Sequence, residues 1–218
     1  MTKTLLRIVG LVLAVSLIGG CLPLSVQPLY QSTDATVQKD RLLGTWRMQR
    51  EGEQTNTNLA ELIGTWTVEK SDEPGRYKIR ATDKDGNVAI FHGALVQLGD
   101  RMFLDLQSGL DEQTDANPWV MFTRPPAHAF VRIEFQQSGL RIATVNWRRF
   151  TNHLESADTQ IDHVWFRDYF AKQDDEKAPL ITAETPKLRA FVKNQLTDDR
   201  FFTTWHTMQR VKGGDGQR

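Results

Sequence analysis

The sequence predicts a mainly β protein, an antiparallel meander that closes as a barrel or sandwich, with a short helix near 147–155 and a second near 185–196. Three observations lead there. Short segments alternate apolar and polar side chains, turn residues punctuate them at close spacing, and through the central part of the chain no helical period separates one segment from the next. Strands so arranged pair through hairpins rather than crossovers.

The clear alternation begins at "RYKIRAT", which puts Tyr77, Ile79 and Ala81 on one face and Lys78, Arg80 and Thr82 on the other. "GNVAIFHGALVQLGDRMFLDLQ" supplies two more strands broken at Gly99 and Asp100, and "NPWVMFT", "AHAFVRIEF" and "GLRIATVNW" continue the series. "DKDGN" reads as a three-residue hairpin loop between Asp83 and Asn87, a type I turn plus bulge with Gly86 in the left-handed position. That loop sets Ile79 opposite Phe91 and Tyr77 opposite Gly93. The next turn sets Leu95 opposite Leu104 and Gly93 opposite Leu106. A two-residue loop would slip the pairing by one and turn His92 inward. Val96 and Phe103 then share the outer face and are too apolar to leave in water, so a helix is expected to cover them.

"NWRRFTNHLES" carries Trp147, Phe150 and Leu154 at spacings of three and four, with Asn146 as N-cap. "TPKLRAFVKNQL" carries Leu188, Phe191 and Val192 on one stripe, with Thr185 as N-cap and Pro186 at the first helical position. Its stripe is the expected cover for Val96 and Phe103.

The N-terminal end has a different grammar. Lys3 and Arg7 precede an apolar run from Ile8 to Ile18, and Gly19 and Gly20 follow it. This is the order of a secretory signal, and the run is too short for a spanning helix of roughly 20 residues. The expected organisation is a signal peptide over 1–20, a tether over 21–40 rich in proline and small polar residues, a barrel domain with its C-terminal helix over 41–210, and a disordered tail over 211–218.

Cys21 is the only cysteine. The segment Ile18-Gly19-Gly20-Cys21 resembles the lipobox of bacterial lipoproteins, which implies cleavage between Gly20 and Cys21 and fatty acylation of the new N-terminus. Several acyl chains, at roughly 0.8 kcal/mol per buried methylene, make such attachment effectively permanent. By the same resemblance Leu22, not being aspartate, implies the outer membrane. With Cys21 lipidated no disulfide can form. About 198 residues remain, enough to bury roughly 70% of the unfolded surface around one core.

Lysine and arginine number 27 and aspartate and glutamate 27. Loss of Lys3 and Arg7 with the leader makes the remainder slightly acidic, and such balance argues against a nucleic-acid partner.

"LLGTW" at Leu42 to Trp46 and "LIGTW" at Leu62 to Trp66 read as two successive strand starts. Glycine, threonine and tryptophan just after a helical turn such as "NLAEL" resemble the G-x-W entry into the first strand of lipocalin-like, or calycin, barrels. The resemblance implies that Trp46 or Trp66 closes the barrel base. "PLYQSTDATVQKDRLLGTW", "YKIRATDKDGNVAIFHGALVQLGDRMFLDL" and "APLITAETPKLRAFV" look like successive blocks of a group of bacterial envelope lipoproteins without established function, which implies a location and a fold and no activity.

Residues that suggest chemistry have plainer readings. "DKDGN" departs from the calcium loop, with glycine fourth and Ala94 at the twelfth position where glutamate is needed. "HLESADTQIDH" gathers His153, Glu155, Asp158, Asp162 and His163, but at spacings that face different ways. Ser108 and Ser138 lack the G-x-S-x-G elbow, and "GGDG" opens no helix. His92, His128 and His206 each stand alone, with no carboxylate paired to them in sequence. No catalytic residue, metal or cofactor is expected.

Two roles remain. One is a membrane-anchored binding module holding a small apolar ligand or an envelope partner, with Tyr77, Ile79, Phe91, Leu95 and Leu104 lining the interior, since a barrel of about eight strands can just enclose one ligand. The other is a structural or inhibitory envelope protein with a solid barrel and no ligand. An enzyme is a distant third.

Overall fold

The computed structural model describes residues 23–37, 40–49, 64–109, 127–137, 139–156, 159–167, 177–196, 198–202 and 204–211. The expected signal segment, Cys21, the "NLAEL" turn, the "NPWVMFT" strand and the 212–218 part of the tail lie outside these residues. Among the described residues the chain is mainly β. Its strands are β1 (Leu24–Ser25), β2 (Gly44–Met48), β3 (Thr65–Lys70), β4 (Arg76–Thr82), β5 (Val88–Leu98), β6 (Arg101–Ser108), β7 (His128–Phe135), β8 (Gly139–Thr144), β9 (His163–Arg167), β10 (Lys177–Ile181) and β11 (Thr204–Arg210). The helices are α1 (Trp147–Glu155) and α2 (Thr185–Gln195).

Strands β2 to β8 run as an antiparallel meander, β11 pairs with both β8 and β2, and the eight close into a calycin-like barrel. Strand β7 pairs β8 only from Arg132 to Phe135; its first residues pair β1 instead. There a small sheet, β1–β10–β9, branches from the barrel wall. One end of the barrel, the base, has the short turns after β3, β5 and β7. The other, the mouth, carries the longer connections after β2, β6 and β8.

The "DKDGN" loop sets the central register as its length requires. Gly86 has φ 84°, and the Asp83 carboxylate accepts from the backbone N–H of Asp85 at 2.9 Å and of Asn87 at 2.8 Å. Ile79 faces Phe91, Tyr77 faces Gly93, Leu95 faces Leu104 and Gly93 faces Leu106. His92, opposite Lys78 and Gln107, is on the outer side.

Two apolar cores share the barrel wall. The inner one includes Trp46, Met48, Trp66, Val68, Tyr77, Ile79, Phe91, Leu95, Leu104, Leu106, Val131, Ile142 and Met208. The outer one joins Val96, Leu98, Phe103 and Phe130 of the wall to Phe150 and Leu154 of α1, Ile181 of β10 and Leu188, Phe191 and Val192 of α2. Helix α2 therefore covers the face that carries Val96 and Phe103. Phe103 meets the Phe130 ring edge-on at 6.5 Å and the Phe202 ring at 5.8 Å.

Helix α1 is capped as expected, the Asn146 side chain accepting from Arg149 N–H. Two expectations are corrected. Glu184, not Thr185, holds the N-cap of α2, and no side chain caps that end. The Thr185 hydroxyl instead donates to the Pro28 carbonyl at 2.8 Å, because the N-terminal segment lies against the helix start. That segment is the second correction: residues 23–37 are built into the domain rather than strung out as a tether. Leu24 and Ser25 form β1, Leu29 is fully buried in the outer core, and Ser32–Val37 is a 3-10 helix whose Asp34 pairs with Arg189 at 2.6 Å.

Phe191→Ala should cost about 3–5 kcal/mol, since it opens a hole in the outer core, and Thr185→Ala about 1 kcal/mol through one lost hydrogen bond. Denaturant titration checks both; equal, negligible losses would show α2 undocked.

Candidate functional site

The barrel interior is the first place to look for a site. Tyr77, Ile79, Phe91, Leu95 and Leu104 all point into it and belong to one buried cluster. They pack side by side along the adjacent strands β4, β5 and β6. A methyl group at Gly93, in the middle of β5, would come within 2.7 Å of Ile79 Cδ1 and 3.4 Å of Leu104 Cδ1. The end of the Ile79 side chain, from the neighbouring strand β4, lies over Gly93 and would have to shift to admit a methyl group.

Trp46 and Trp66 face each other across β2 and β3 and both are buried. Trp46 lies toward the base, donating from Nε1 to the Leu42 carbonyl at 2.8 Å, with Leu42 buried beside it. Trp66 Nε1 is buried and has no acceptor among the described residues. Toward the mouth the inward register turns polar, with Ser108 opposite Phe91, Thr144 on β8 and His206 opposite Ile142, all buried.

A second site lies outside the base. Arg41, Trp46, Phe135, Gln136, Gln137, Gly139 and Arg210 line an open cleft of about 180 Å³. The Arg41 guanidinium sits 5.3 Å from the Phe135 ring centre, and that of Arg210 5.1 Å from the Trp46 ring. Each is also held by a backbone carbonyl, Arg41 donating to Gln136 O at 2.6 Å and Arg210 to Leu43 O. Among the described residues neither guanidinium has a carboxylate partner. Two fixed cations with aromatic backing can receive a small anionic group through their remaining N–H donors. Sequence reasoning found only Trp46 of this set, because Arg41 and Arg210 stand far apart in the chain and meet only where β11 pairs with β2 and β8 and Arg41 reaches the turn after β7.

The outer wall holds a buried polar pair. Asp105, on the outer side of β6, is 3% exposed; its carboxylate accepts from Tyr30 N–H at 2.9 Å and lies 3.0 Å from His128 Nδ1. The expectation that His128 stands alone is thus corrected: the β6–β7 register brings the two outward positions together. The "HLESADTQIDH" residues disperse into packing and surface roles. His153 stacks on Phe191 at 5.9 Å, Asp162 pairs with Lys187 at 3.2 Å, and His163 Nδ1 lies 2.9 Å from Ile161 O. Asp158 lies outside the described residues.

Near the start of β11, hydrogen bonding from the Arg200 side chain lowers the Asp198 pKa from 3.8 to about 2. Asp199 is lowered by its bond from Arg132 and by the nearby Arg101. The contribution of Asp198 is complete above pH 3.8 and is lost as pH falls through about 2.

No family model matches the chain, and neither a curated protein nor a solved structure matches it.

Gly93→Ala should destabilise the fold by about 1–3 kcal/mol, the ordinary penalty for overfilling a packed interior. Thermal or denaturant unfolding measures it. A neutral or stabilising effect would mean that the Ile79 side chain yields the space without loss of packing.

Proposed function

We propose that the chain is a bacterial envelope lipoprotein, acylated at Cys21 after cleavage behind Gly20 and held at the outer membrane. Its barrel is solid, and it serves a structural or inhibitory role by contacting an envelope partner through its surface. No catalytic step is assigned to it. What supports this reading is the inward cluster of large side chains, Tyr77, Ile79, Phe91, Leu95 and Leu104 among them, each at most 2% exposed. A ligand pocket of ordinary size needs roughly 300 Å³ or more. The contact surface we favour is the base cleft, where Arg41 and Arg210 suit an acidic side chain or phosphate on the partner and Trp46 and Phe135 provide apolar backing.

The second reading is a module that takes a small apolar ligand through the mouth. It is favoured by Trp66 Nε1, an unsatisfied buried donor that a ligand oxygen would complete.

Cys21→Ser should yield a chain without lipid, either uncleaved or released in soluble form after cleavage elsewhere. A cleaved mutant that stays with membranes through a high-salt wash would contradict the anchor. Mass spectrometry of repeated preparations of the full chain should find no apolar molecule at stoichiometric amount; one found consistently would establish the second reading in place of the solid barrel.

A further inference from the structure

The small sheet β1–β10–β9 has one face on the outer core and one face away from it. Ser25 and Ile181, opposite each other in register and fully buried, face the core. Residues paired across neighbouring strands share a face, so Leu24, Leu180 and Val164 form a row on the other side, which continues through the Leu24–Ala129 pair into the inner face of β7 at the mouth. Val26, two positions beyond Leu24 and bonded by its N–H to Ile181 O at 2.8 Å, extends that row. Val26 is 40% exposed and Val164 49%, and among the described residues these are the large apolar side chains left open to solvent. An exposed apolar cluster marks a contact surface.

The chain itself indicates what covers it. Cys21 stands three residues before Leu24, and Pro23 is already buried. At full extension that path spans about 10 Å. With residues 23–37 packed into the domain, no tether remains to hold the barrel away from its anchor.

We propose that Leu24, Val26, Leu180 and Val164 form the membrane-facing surface of the protein and rest in the headgroup boundary of the leaflet that holds the acyl chains. This rests on acylation at Cys21. The row lies where the anchor must deliver it, and its apolar side chains gain by leaving water for that boundary. The anchor and the row together fix the orientation of the barrel.

Acylation consumes the only thiol, so a second cysteine can be labelled alone. The test uses the full acylated chain carrying Val26→Cys, Val164→Cys or Glu69→Cys, each coupled to an environment-sensitive fluorophore, in phosphatidylethanolamine–phosphatidylglycerol vesicles containing nitroxide lipid. All three positions are exposed, which spares the fold. Glu69 lies on β3, four strands round the barrel from β7 and so on the opposite wall. Quenching at Val26→Cys and Val164→Cys should exceed that at Glu69→Cys by about threefold or more, as expected for side chains in the interface. Equal quenching at all three, in a chain whose mass confirms acylation, overturns the membrane face and leaves the lipoprotein reading intact. An unacylated chain overturns both. A label at Val164→Cys that is shielded from nitroxide lipid, and loses that shielding when the protein is diluted, assigns the row to a second copy and overturns the proposal.

Discussion

A barrel strand normally shows one face to the core and one to water. In β5 and β6 both faces are apolar. Phe91, Leu95, Leu104 and Leu106 point inward, while Val96, Leu98 and Phe103 point outward and are as fully buried. Each such side chain is worth about 1.5–3 kcal/mol when removed from water, so the outer row cannot be left uncovered. Much of the chain outside the meander answers this demand: α1 and α2, the β9–β10 hairpin and the N-terminal segment all join the outer core. Asp105 sharpens the requirement. A carboxylate in that row is tolerated only with hydrogen-bonding partners, and Tyr30 N–H and His128 supply them. The N-terminal segment is thus held by an apolar contact at Leu29 and by polar contacts on either side of it.

This arrangement bears on what the molecule can do. Two cores on one wall leave the strands little freedom to part. Features suited to recognition accordingly sit at the ends and outside: the arginine cleft under the base, the polar inner rim of the mouth, and the apolar row on β1, β10 and β9. The first would meet a partner and the last a membrane, so a barrel oriented by its anchor would present its base cleft in a fixed direction.

The meander was legible because alternation and turn chemistry agree. "DKDGN" fixed one hairpin, and from it followed the interior positions Ile79, Phe91, Leu95 and Leu104 and the need for α2 over Phe103. The N-terminal segment was illegible for physical reasons. Its strand has two residues, too few for a period, and its attachments run from Tyr30 to Asp105, Asp34 to Arg189 and Pro28 to Thr185, across much of the chain. Strand β10 was hidden by Pro179, which argues against an internal strand. It is accommodated because β1 pairs only with Leu180 and Ile181. Among candidate site residues, Trp46 could be read from its local motif, whereas Arg41 and Arg210 meet only after the barrel closes.

The central claim is that residues 23–37 are a structural part of the domain, locked over the outer face of the barrel. Residue-level hydrogen exchange on the full chain tests it most directly, at the Val26 amide bonded to Ile181 O and the Tyr30 amide bonded to Asp105. The account predicts that both exchange within about tenfold of the amides of β6, because they open only with the core they cover. Exchange at the rate of an unstructured peptide while β6 stays protected would contradict it and restore the segment to a tether.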